Sequence, residues 1–308
     1  MEKRLKIAII GAGGVGGYYG GLLSKAGMDV HLLARGEHLR MIKKRGLIIR
    51  SYKGNFRTKV EASDNPDHIG VSDLVLFCVK SFDTEKTAKQ ITRIVGPETS
   101  IISLQNGVGN EEIIGDILGH EKVMGGIAFI GSRIAEPGVI LHTAAGSLSF
   151  GELDGEMSNR GKLINEIFKS AGIEANLSKN IKKSMWRKMV WNCGFNAITA
   201  LTGCCVSETL ELPETRKVIE TAMEEVVKVA HSLGISLDED LVGKTISSTE
   251  RQGEIRTSML VDMEKGKRME IESINGAVSK MGEKSGIPTP VNDTLYGAVK
   301  AVNKRRGH

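Results

Sequence analysis

Hydrophobic positions are distributed differently in the two halves of the chain. In the first half, short runs of Ile, Val and Leu alternate with longer amphipathic stretches, which is typical of a parallel sheet covered by helices. After about residue 180 the short runs stop, and amphipathic helical stretches follow one another. The pattern predicts an α/β domain with a doubly wound parallel sheet over residues 1–178, and an all-helical second domain over residues 179–308.

The same pattern predicts the individual elements. Strands are expected at residues 7–10, 30–34, 46–50, 56–62, 73–79, 100–104, 123–129, 138–142, 147–151 and 174–177. Helices are expected at residues 15–26, 84–94 and 159–170, and in the second domain at residues 184–201, 214–233, 271–284 and 291–304.

A glycine-rich turn follows the first predicted strand. Gly11, Gly13 and Gly16 match the pattern G-x-G-x-x-G, and a helix follows. The first glycine permits a tight turn, the second lets the backbone approach a pyrophosphate, and the third lets the helix pack on the strand. We therefore expect a Rossmann-type dinucleotide site, although a purely structural turn would also contain glycines. The predicted cofactor-binding residues are Gly11, Ala12, Gly13, Gly14, Val15 and Gly16.

The end of the second predicted strand indicates which dinucleotide binds. A cofactor with a free ribose 2′-hydroxyl usually meets an Asp or Glu there. The nearest acid, Asp29, is predicted to precede the strand, and Arg35 follows it instead. A guanidinium suits a 2′-phosphate, so the sequence predicts NADPH/NADP+, the alternative being an ordinary surface arginine.

Two further polar residues follow predicted strands. Lys80 ends the apolar run 73–79, and Asn106 lies in the loop Gln105-Asn106-Gly107-Val108-Gly109 after strand 100–104. Ligands of such sheets bind at the carboxyl ends of the strands, where Asn106 could reach a nicotinamide, a ribose or a substrate. The simpler alternative is that Asn106 caps the next helix.

The first helix of the second domain carries a polar stripe. Lys188, Asn192, Asn196 and Thr199 share one face, while the other faces are apolar. Burying an ammonium and two amides without partners is costly, so the stripe is predicted to line a ligand cavity. The alternative is a lysine at the exposed start of a helix, with two asparagines satisfied within the core.

Composition excludes several other classes of function. The net charge of +5 comes without a basic run interleaved with aromatic residues, which argues against nucleic-acid binding. The longest uncharged run, residues 189–207, contains Asn, Gly and hydroxyl residues, which argues against a membrane span. Four cysteines without C-x-x-C spacing, and no signal-peptide pattern in Met1–Lys6, predict a cytoplasmic protein. No metal site is expected, and a homodimer is left open.

Together these motifs resemble the ketopantoate reductase family. The resemblance spans nearly the whole chain and rests on an ordered set of motifs: the glycine turn, Arg35, Val79-Lys80, Gln105-Asn106-Gly107, Trp186-Arg187-Lys188 with Asn192 and Asn196, Ser258 to Asp262, Glu270, and Ile274-Asn275-Gly276. It implies a two-domain NADPH enzyme that reduces 2-dehydropantoate to pantoate, on the route to pantothenate and coenzyme A.

The resemblance also implies roles for individual residues. Lys188 matches the proton donor, Asn192 and Asn196 match substrate-binding amides, and Ser258 matches a hydroxyl near the substrate carboxylate. The positions on the cofactor side are Arg35, Lys80, Asn106, which also reaches substrate, Gly131 through its backbone, and Glu270 near the nicotinamide.

One position departs from the family pattern, because Val206 stands where a further substrate asparagine is usual. Reduction of another branched 2-oxo acid is therefore an alternative. A non-catalytic NADP(H) sensor is a second one, and the polar stripe argues against it because a sensor has no use for it.

Overall fold

The computed structural model describes residues 5–308, which divide into two compact units. The first consists of residues 5–105 and Asn110–Ile181, and the second of Asn106–Gly109 and Lys182–His308. The predicted boundary after residue 178 thus falls slightly before the division, and the sequence did not indicate that the loop Asn106–Gly109 groups with the helical unit. Residues 1–4, which entered the signal-peptide prediction, lie outside the described residues.

The strands of the first unit form a single sheet. Within residues 5–308 they are β1 (Lys6–Ile10), β2 (Asp29–Leu33), β3 (Leu47–Ser51), β4 (Phe56–Thr58), β5 (Glu61–Ser63), β6 (Ser72–Phe77), β7 (Val95–Ser103), β8 (Val123–Glu136), β9 (Val139–Glu152) and β10 (Glu174–Leu177). The strand order is β4-β3-β9-β8-β7-β6-β1-β2-β5, and β10 pairs with β9.

Helices cover both faces of this sheet. They are α1 (Gly14–Lys25), α2 (Gly36–Arg45), α3 (Thr84–Gln90), α4 (Asn110–Leu118) and α5 (Asn159–Ser170). Along β1, Ile7 and Ile9 pack in the core that α1, α2 and α5 cover, whereas Ala8 and Ile10 pack in the core under α3 and α4. This alternation follows from the two-residue period of a strand and confirms the doubly wound Rossmann-type arrangement.

The strand order reverses at β1. From β1 the chain proceeds to β2 on one side and later returns to β6 on the other, all in parallel. Doubly wound sheets bind ligands at the carboxyl ends of the strands at this point of reversal. The glycine turn after β1, Arg35 after β2 and Lys80 after β6 all lie at that edge.

The sheet is mixed rather than wholly parallel, which corrects part of the prediction. β8 and β9 form a long antiparallel pair, and β3 and β4 form an antiparallel hairpin. The two predicted segments 138–142 and 147–151 belong to one strand, β9. The residues between them remain paired with β8 through an irregular stretch, in which Ala145 has a φ of 55°. Segment 56–62 is likewise two strands, β4 pairing with β3 and β5 with β2.

The second unit is helical, as predicted. Its helices within the described residues are α6 (Ile181–Thr202), α7 (Val206–Glu211), α8 (Pro213–Ser232), α9 (Leu241–Glu250), α10 (Ser258–Glu264), α11 (Asn275–Ser285) and α12 (Pro290–Arg305). The sequence pattern missed the short helices α7, α9 and α10. In residues 5–308 we find no helix with both the length and the apolar character needed to cross a membrane.

Candidate active site

The glycine turn has the geometry that a dinucleotide requires. Gly11 has a φ of +99°, which favours glycine, and a Cβ on Gly16 would lie 2.2 Å from the Gly11 carbonyl oxygen. These two glycines therefore allow the tight turn and the close packing of α1 on β1. A Cβ on Gly13 would meet no atom within 4 Å, so the space beside the second glycine is open. The turn fits a pyrophosphate, as the motif predicts.

The start of α1 suits an anion. Gly13 caps the helix without a side-chain hydrogen bond, and the first turn contains no acidic residue. The exposed N–H groups and the partial positive charge of a helix N-terminus attract phosphate. Gly14 approaches the backbone of Ser132 in β8, where a Cβ would lie 2.4 Å from the Ser132 carbonyl oxygen. The predicted cofactor residue Gly131 therefore precedes a residue that contacts the turn.

Arg35 lies at the end of the sheet where a ribose phosphate is expected. Its side chain is 87% exposed, and Nη2 lies 3.7 Å from Asp83 Oδ2. Asp29 is the first residue of β2 rather than a residue before it, at the opposite end from Arg35, and its carboxylate pairs with His31 at 2.9 Å. Asp83 is an acidic neighbour of Arg35 that the sequence pattern did not indicate.

Gln105 holds the loop that carries Lys80. Its amide Nε2 donates to the Val79 carbonyl oxygen at 3.0 Å and to Thr84 Oγ1 at 2.8 Å, so the ends of β6 and β7 are tied together. Lys80, which is half-buried, then begins the turn Ser81–Asp83. The motif Gln105-Asn106-Gly107 did not indicate this role for Gln105, although its place in the loop after β7 could have suggested one.

In the second unit, Lys188 and Asn106 are in direct contact. Lys188 Nζ donates to Asn106 Oδ1 at 3.0 Å, although the two residues are 82 positions apart. Burial lowers the pKa of Lys188 to about 8, and the Glu270 carboxylate opposes that change by stabilising the ammonium. Glu270 is itself buried. A lysine with a pKa near neutrality is suited to proton transfer.

The position of Asn106 depends on a close backbone contact. Gly107 has a φ of +98°, and a Cβ there would lie 2.1 Å from the Ser273 carbonyl oxygen. The same carbonyl accepts a hydrogen bond from Val108 N at 3.2 Å. The loop therefore packs against the chain just before α11, which holds Asn106 beside Lys188.

Two amides of the predicted polar stripe have unsatisfied atoms. Asn192 and Asn196 are 4% and 1% exposed, and within the described residues Asn192 Nδ2 and Asn196 Oδ1 have no hydrogen-bond partner. Leaving a buried polar group unbonded costs about 1–3 kcal/mol. Each atom can therefore gain a hydrogen bond from a bound polar molecule.

Thr199, the last residue of the polar stripe, forms hydrogen bonds within the fold. Thr199 Oγ1 bonds to the Phe195 carbonyl oxygen and to Thr257 Oγ1, at 2.8 and 2.7 Å. Thr257 caps α10, so this contact fixes the start of that helix relative to α6. Ser258 follows as the first residue of α10 and is exposed. Thr199 thus stabilises the fold next to the predicted substrate residue, and Thr257 is a contact that the sequence did not indicate.

Val206 is buried in the hydrophobic core of the second unit. Its backbone N donates to the Ile255 carbonyl oxygen at 2.9 Å. This position therefore offers no polar group to a substrate. No group of three or more His, Cys, Asp or Glu side chains within residues 5–308 is arranged to hold a metal ion.

Comparison with known proteins shows the family to which the chain belongs. The family model described as "Ketopantoate reductase PanE/ApbA" matches residues 7–155, and its C-terminal counterpart matches residues 180–303. The chain belongs to the ketopantoate reductase family. Ketopantoate reductases are oxidoreductases with a Rossmann-like NAD(P)-binding fold.

Individual proteins of known sequence or structure are similar to this chain over nearly its whole length. A 2-dehydropantoate 2-reductase of Archaeoglobus fulgidus is 35% identical, with 96% of this chain and 97% of that protein covered. The crystal structure of 2-dehydropantoate 2-reductase from Geobacter metallireducens GS-15 has a TM-score of 0.92 at 34% identity, covering 97% of this chain and 100% of that one. A D-mandelate dehydrogenase with NADH and anilino(oxo)acetate has a TM-score of 0.91 at 28% identity, covering 99% and 100%.

Proposed function

We propose that this ketopantoate reductase homologue catalyses the NADPH-dependent reduction of 2-dehydropantoate to (R)-pantoate, in the biosynthesis of pantothenate and coenzyme A. The observation that carries the proposal is the hydrogen bond from Lys188 of α6 to Asn106. The same helix carries Asn192 and Asn196, whose buried amide groups each have an atom without a hydrogen-bond partner in the described residues. A protein that only senses NADP(H) would not need this arrangement. The four cysteines are free, which agrees with a cytoplasmic location.

The proposed chemistry assigns a proton to Lys188. When bound, NADPH supplies the hydride that C2 of the 2-oxo acid receives. As the carbonyl π bond opens, its electron pair moves to oxygen, and Lys188 Nζ gives that oxygen a proton. The ammonium also stabilises the developing negative charge before the transfer. Asn106 orients the ammonium through its 3.0 Å contact, and Glu270 favours the protonated form.

The two amides match the substrate's polar groups. Besides its carboxylate and 2-oxo group, 2-dehydropantoate carries a hydroxymethyl group on its branched carbon, which supplies a primary hydroxyl. Asn196 Oδ1 is an acceptor and suits that hydroxyl, whereas Asn192 Nδ2 is a donor and suits a substrate oxygen. We propose that Ser258, at the start of α10, contacts the carboxylate.

A panel of 2-oxo acids tests the proposed function. Oxidation of NADPH and NADH is followed by nicotinamide absorbance with 2-dehydropantoate, 3-methyl-2-oxobutanoate, which lacks the hydroxymethyl group, and phenylglyoxylate. We expect the highest kcat/KM for 2-dehydropantoate with NADPH. Binding of NADPH without oxidation by any acid would favour the sensor instead.

A second candidate is an NADH-dependent reductase of another branched or aromatic 2-oxo acid. The observations that favour it are the buried Val206 in place of a usual substrate asparagine, the acidic Asp83 beside Arg35, and the similarity to D-mandelate dehydrogenase crystallised with NADH. In the panel, it predicts that phenylglyoxylate or 3-methyl-2-oxobutanoate with NADH gives the highest kcat/KM.

Replacement of Asn196 by alanine should affect one substrate selectively. We expect Asn196→Ala to raise KM for 2-dehydropantoate by about tenfold, because the hydroxyl loses its hydrogen bond. KM for 3-methyl-2-oxobutanoate, which lacks that hydroxyl, should change little. Steady-state kinetics with both acids measure the difference.

Asn165→Ala is the matched control, since Asn165 lies in the first unit and its Oδ1 also has no partner within the described residues. This variant should leave both KM values unchanged. An equal rise in KM for the two acids in Asn196→Ala would place the hydroxyl elsewhere.

A further inference from the structure

His38 connects the glycine turn to the hairpin turn between β8 and β9. Its Nε2 lies 2.9 Å from the Ala12 carbonyl oxygen, and the backbone N–H of Gly138 donates to its Nδ1 at 3.0 Å. A backbone N–H can only donate, so Nδ1 must be unprotonated. The ring is therefore neutral with its proton on Nε2, which donates to Ala12. Burial lowers the pKa of His38 and favours this neutral form.

The hydrogen bond to Ala12 sets the direction of the next N–H group. The peptide between Ala12 and Gly13 is planar and trans, since the described residues contain no cis peptide bond. In a trans peptide the C=O and N–H bonds point in opposite directions. Fixing the Ala12 oxygen on His38 therefore fixes the direction of the Gly13 N–H.

The other side of this short segment is also anchored. The N–H groups of Gly11 and Ala12 both donate to the Leu33 carbonyl oxygen of β2, at 3.3 and 3.2 Å. Gly13, by contrast, is the N-cap residue of α1 and provides no capping side chain. The space beside it is open, because a Cβ there would meet no atom within 4 Å. The turn thus has two anchored N–H groups, one anchored carbonyl, and one N–H directed by that carbonyl.

We infer that His38 is a positioning residue for the cofactor: it holds the Ala12–Gly13 peptide so that the Gly13 N–H donates to a pyrophosphate oxygen. The inference rests on the proposed binding of NADP(H). This role explains why α2, which begins directly after Arg35, carries a histidine in its first turn. His38 and Arg35 then serve different parts of one ligand, the pyrophosphate and the 2′-phosphate.

Two conservative substitutions separate the two bonds of His38. In His38→Gln, the amide nitrogen is the same number of bonds from Cβ as Nε2 and can still donate to Ala12. In His38→Asn, the amide oxygen replaces Nδ1 as the acceptor for Gly138, but the side chain is too short to reach Ala12. The variants therefore keep different halves of the bridge.

The test measures the Kd for NADPH of the wild type and of both variants by fluorescence titration. Thermal unfolding of the cofactor-free proteins is measured alongside. We expect His38→Asn to raise the Kd for NADPH about three- to tenfold, which corresponds to the loss of one neutral hydrogen bond. The Kd of His38→Gln should stay near that of the wild type. The probe 2′-AMP, which has no pyrophosphate, should bind both variants as it binds the wild type. Melting temperatures should not follow the order of the NADPH affinities.

Three outcomes are decisive against the inference. Equal Kd values for NADPH in the two variants would show that the Ala12 bond has no role. A parallel loss of 2′-AMP affinity in His38→Asn would show that His38 acts through α2 and Arg35. A wild-type protein that binds neither NADPH nor NADH would overturn the proposed function together with the inference.

Discussion

Replacing Lys188 by alanine is expected to lower kcat by about 10²–10⁴-fold, the usual contribution of general acid–base catalysis. Lys188 is the proton donor of the proposed reaction, and its Nζ already lies 3.0 Å from Asn106 Oδ1. Affinity for NADPH should change little, because the glycine turn and Arg35 are proposed to bind it. Single-turnover and steady-state rates, with the Kd for NADPH measured separately, give the two quantities.

Two control variants make this result specific. Lys182→Ala removes an exposed lysine from the same helix and should keep full kcat. Lys188→Arg keeps a positive charge, but a guanidinium holds its proton at any accessible pH, so kcat should stay low. A folded Lys188→Ala protein with near wild-type kcat would exclude Lys188 as the donor.

The pH dependence follows from the same group. The proposed reduction uses the protonated form of Lys188, and burial lowers the pKa of this residue to about 8. The rate of reduction should therefore be constant below pH 8 and decline above it. Because the Glu270 carboxylate raises the pKa of Lys188, Glu270→Gln should move the decline to lower pH. A pH profile of kcat for both proteins measures the shift, and a move to higher pH would contradict the assignment.

Replacing Arg35 by alanine is expected to weaken NADPH binding by about tenfold or more, while NADH binding changes little. The guanidinium follows β2 at the ligand edge of the sheet and is proposed to contact the 2′-phosphate. The carboxylate of its neighbour Asp83, 3.7 Å from the guanidinium, would repel a phosphate bound there. Asp83→Asn should therefore strengthen NADPH binding relative to NADH.

The matched control is Arg40→Ala, since Arg40 is an exposed arginine of α2, the helix that begins directly after Arg35, and it pairs with Glu37. Titrations of the wild type and of each variant with NADPH and with NADH give two dissociation constants for each protein. Equal weakening of both cofactors in Arg35→Ala would show that Arg35 does not recognise the 2′-phosphate.

Much of the fold could be predicted because the buried strands have strong local patterns. Helix 159–170 and strand 174–177 have the predicted bounds, and the long helix α6 begins three residues earlier and ends one residue later than predicted. The pairing of β8 with β9 could not be predicted in the same way. The residues of β9 near Ala145 have the composition of a loop, so the sequence predicts two strands there. In the structure β9 continues through this irregular stretch and pairs with β8 on both sides of it.

The site could be predicted only where a motif is contiguous or lies on one helix. The glycine turn and the stripe from Lys188 to Asn196 have such local patterns. The contact between Lys188 and Asn106 depends on the close approach of Gly107 to the Ser273 carbonyl oxygen, which no local pattern contains. The bridge made by His38 likewise joins residues 26 and 100 positions away.

Transfer of a labelled hydride tests the central claim most directly. The protein is incubated with 2-dehydropantoate and NADPH that carries deuterium at the reactive position of C4, and the product is analysed by mass spectrometry and chiral chromatography. We expect (R)-pantoate with one deuterium at C2 for each NADPH oxidised. Pantoate without deuterium, or no pantoate while another 2-oxo acid takes up the label, would contradict the proposed function.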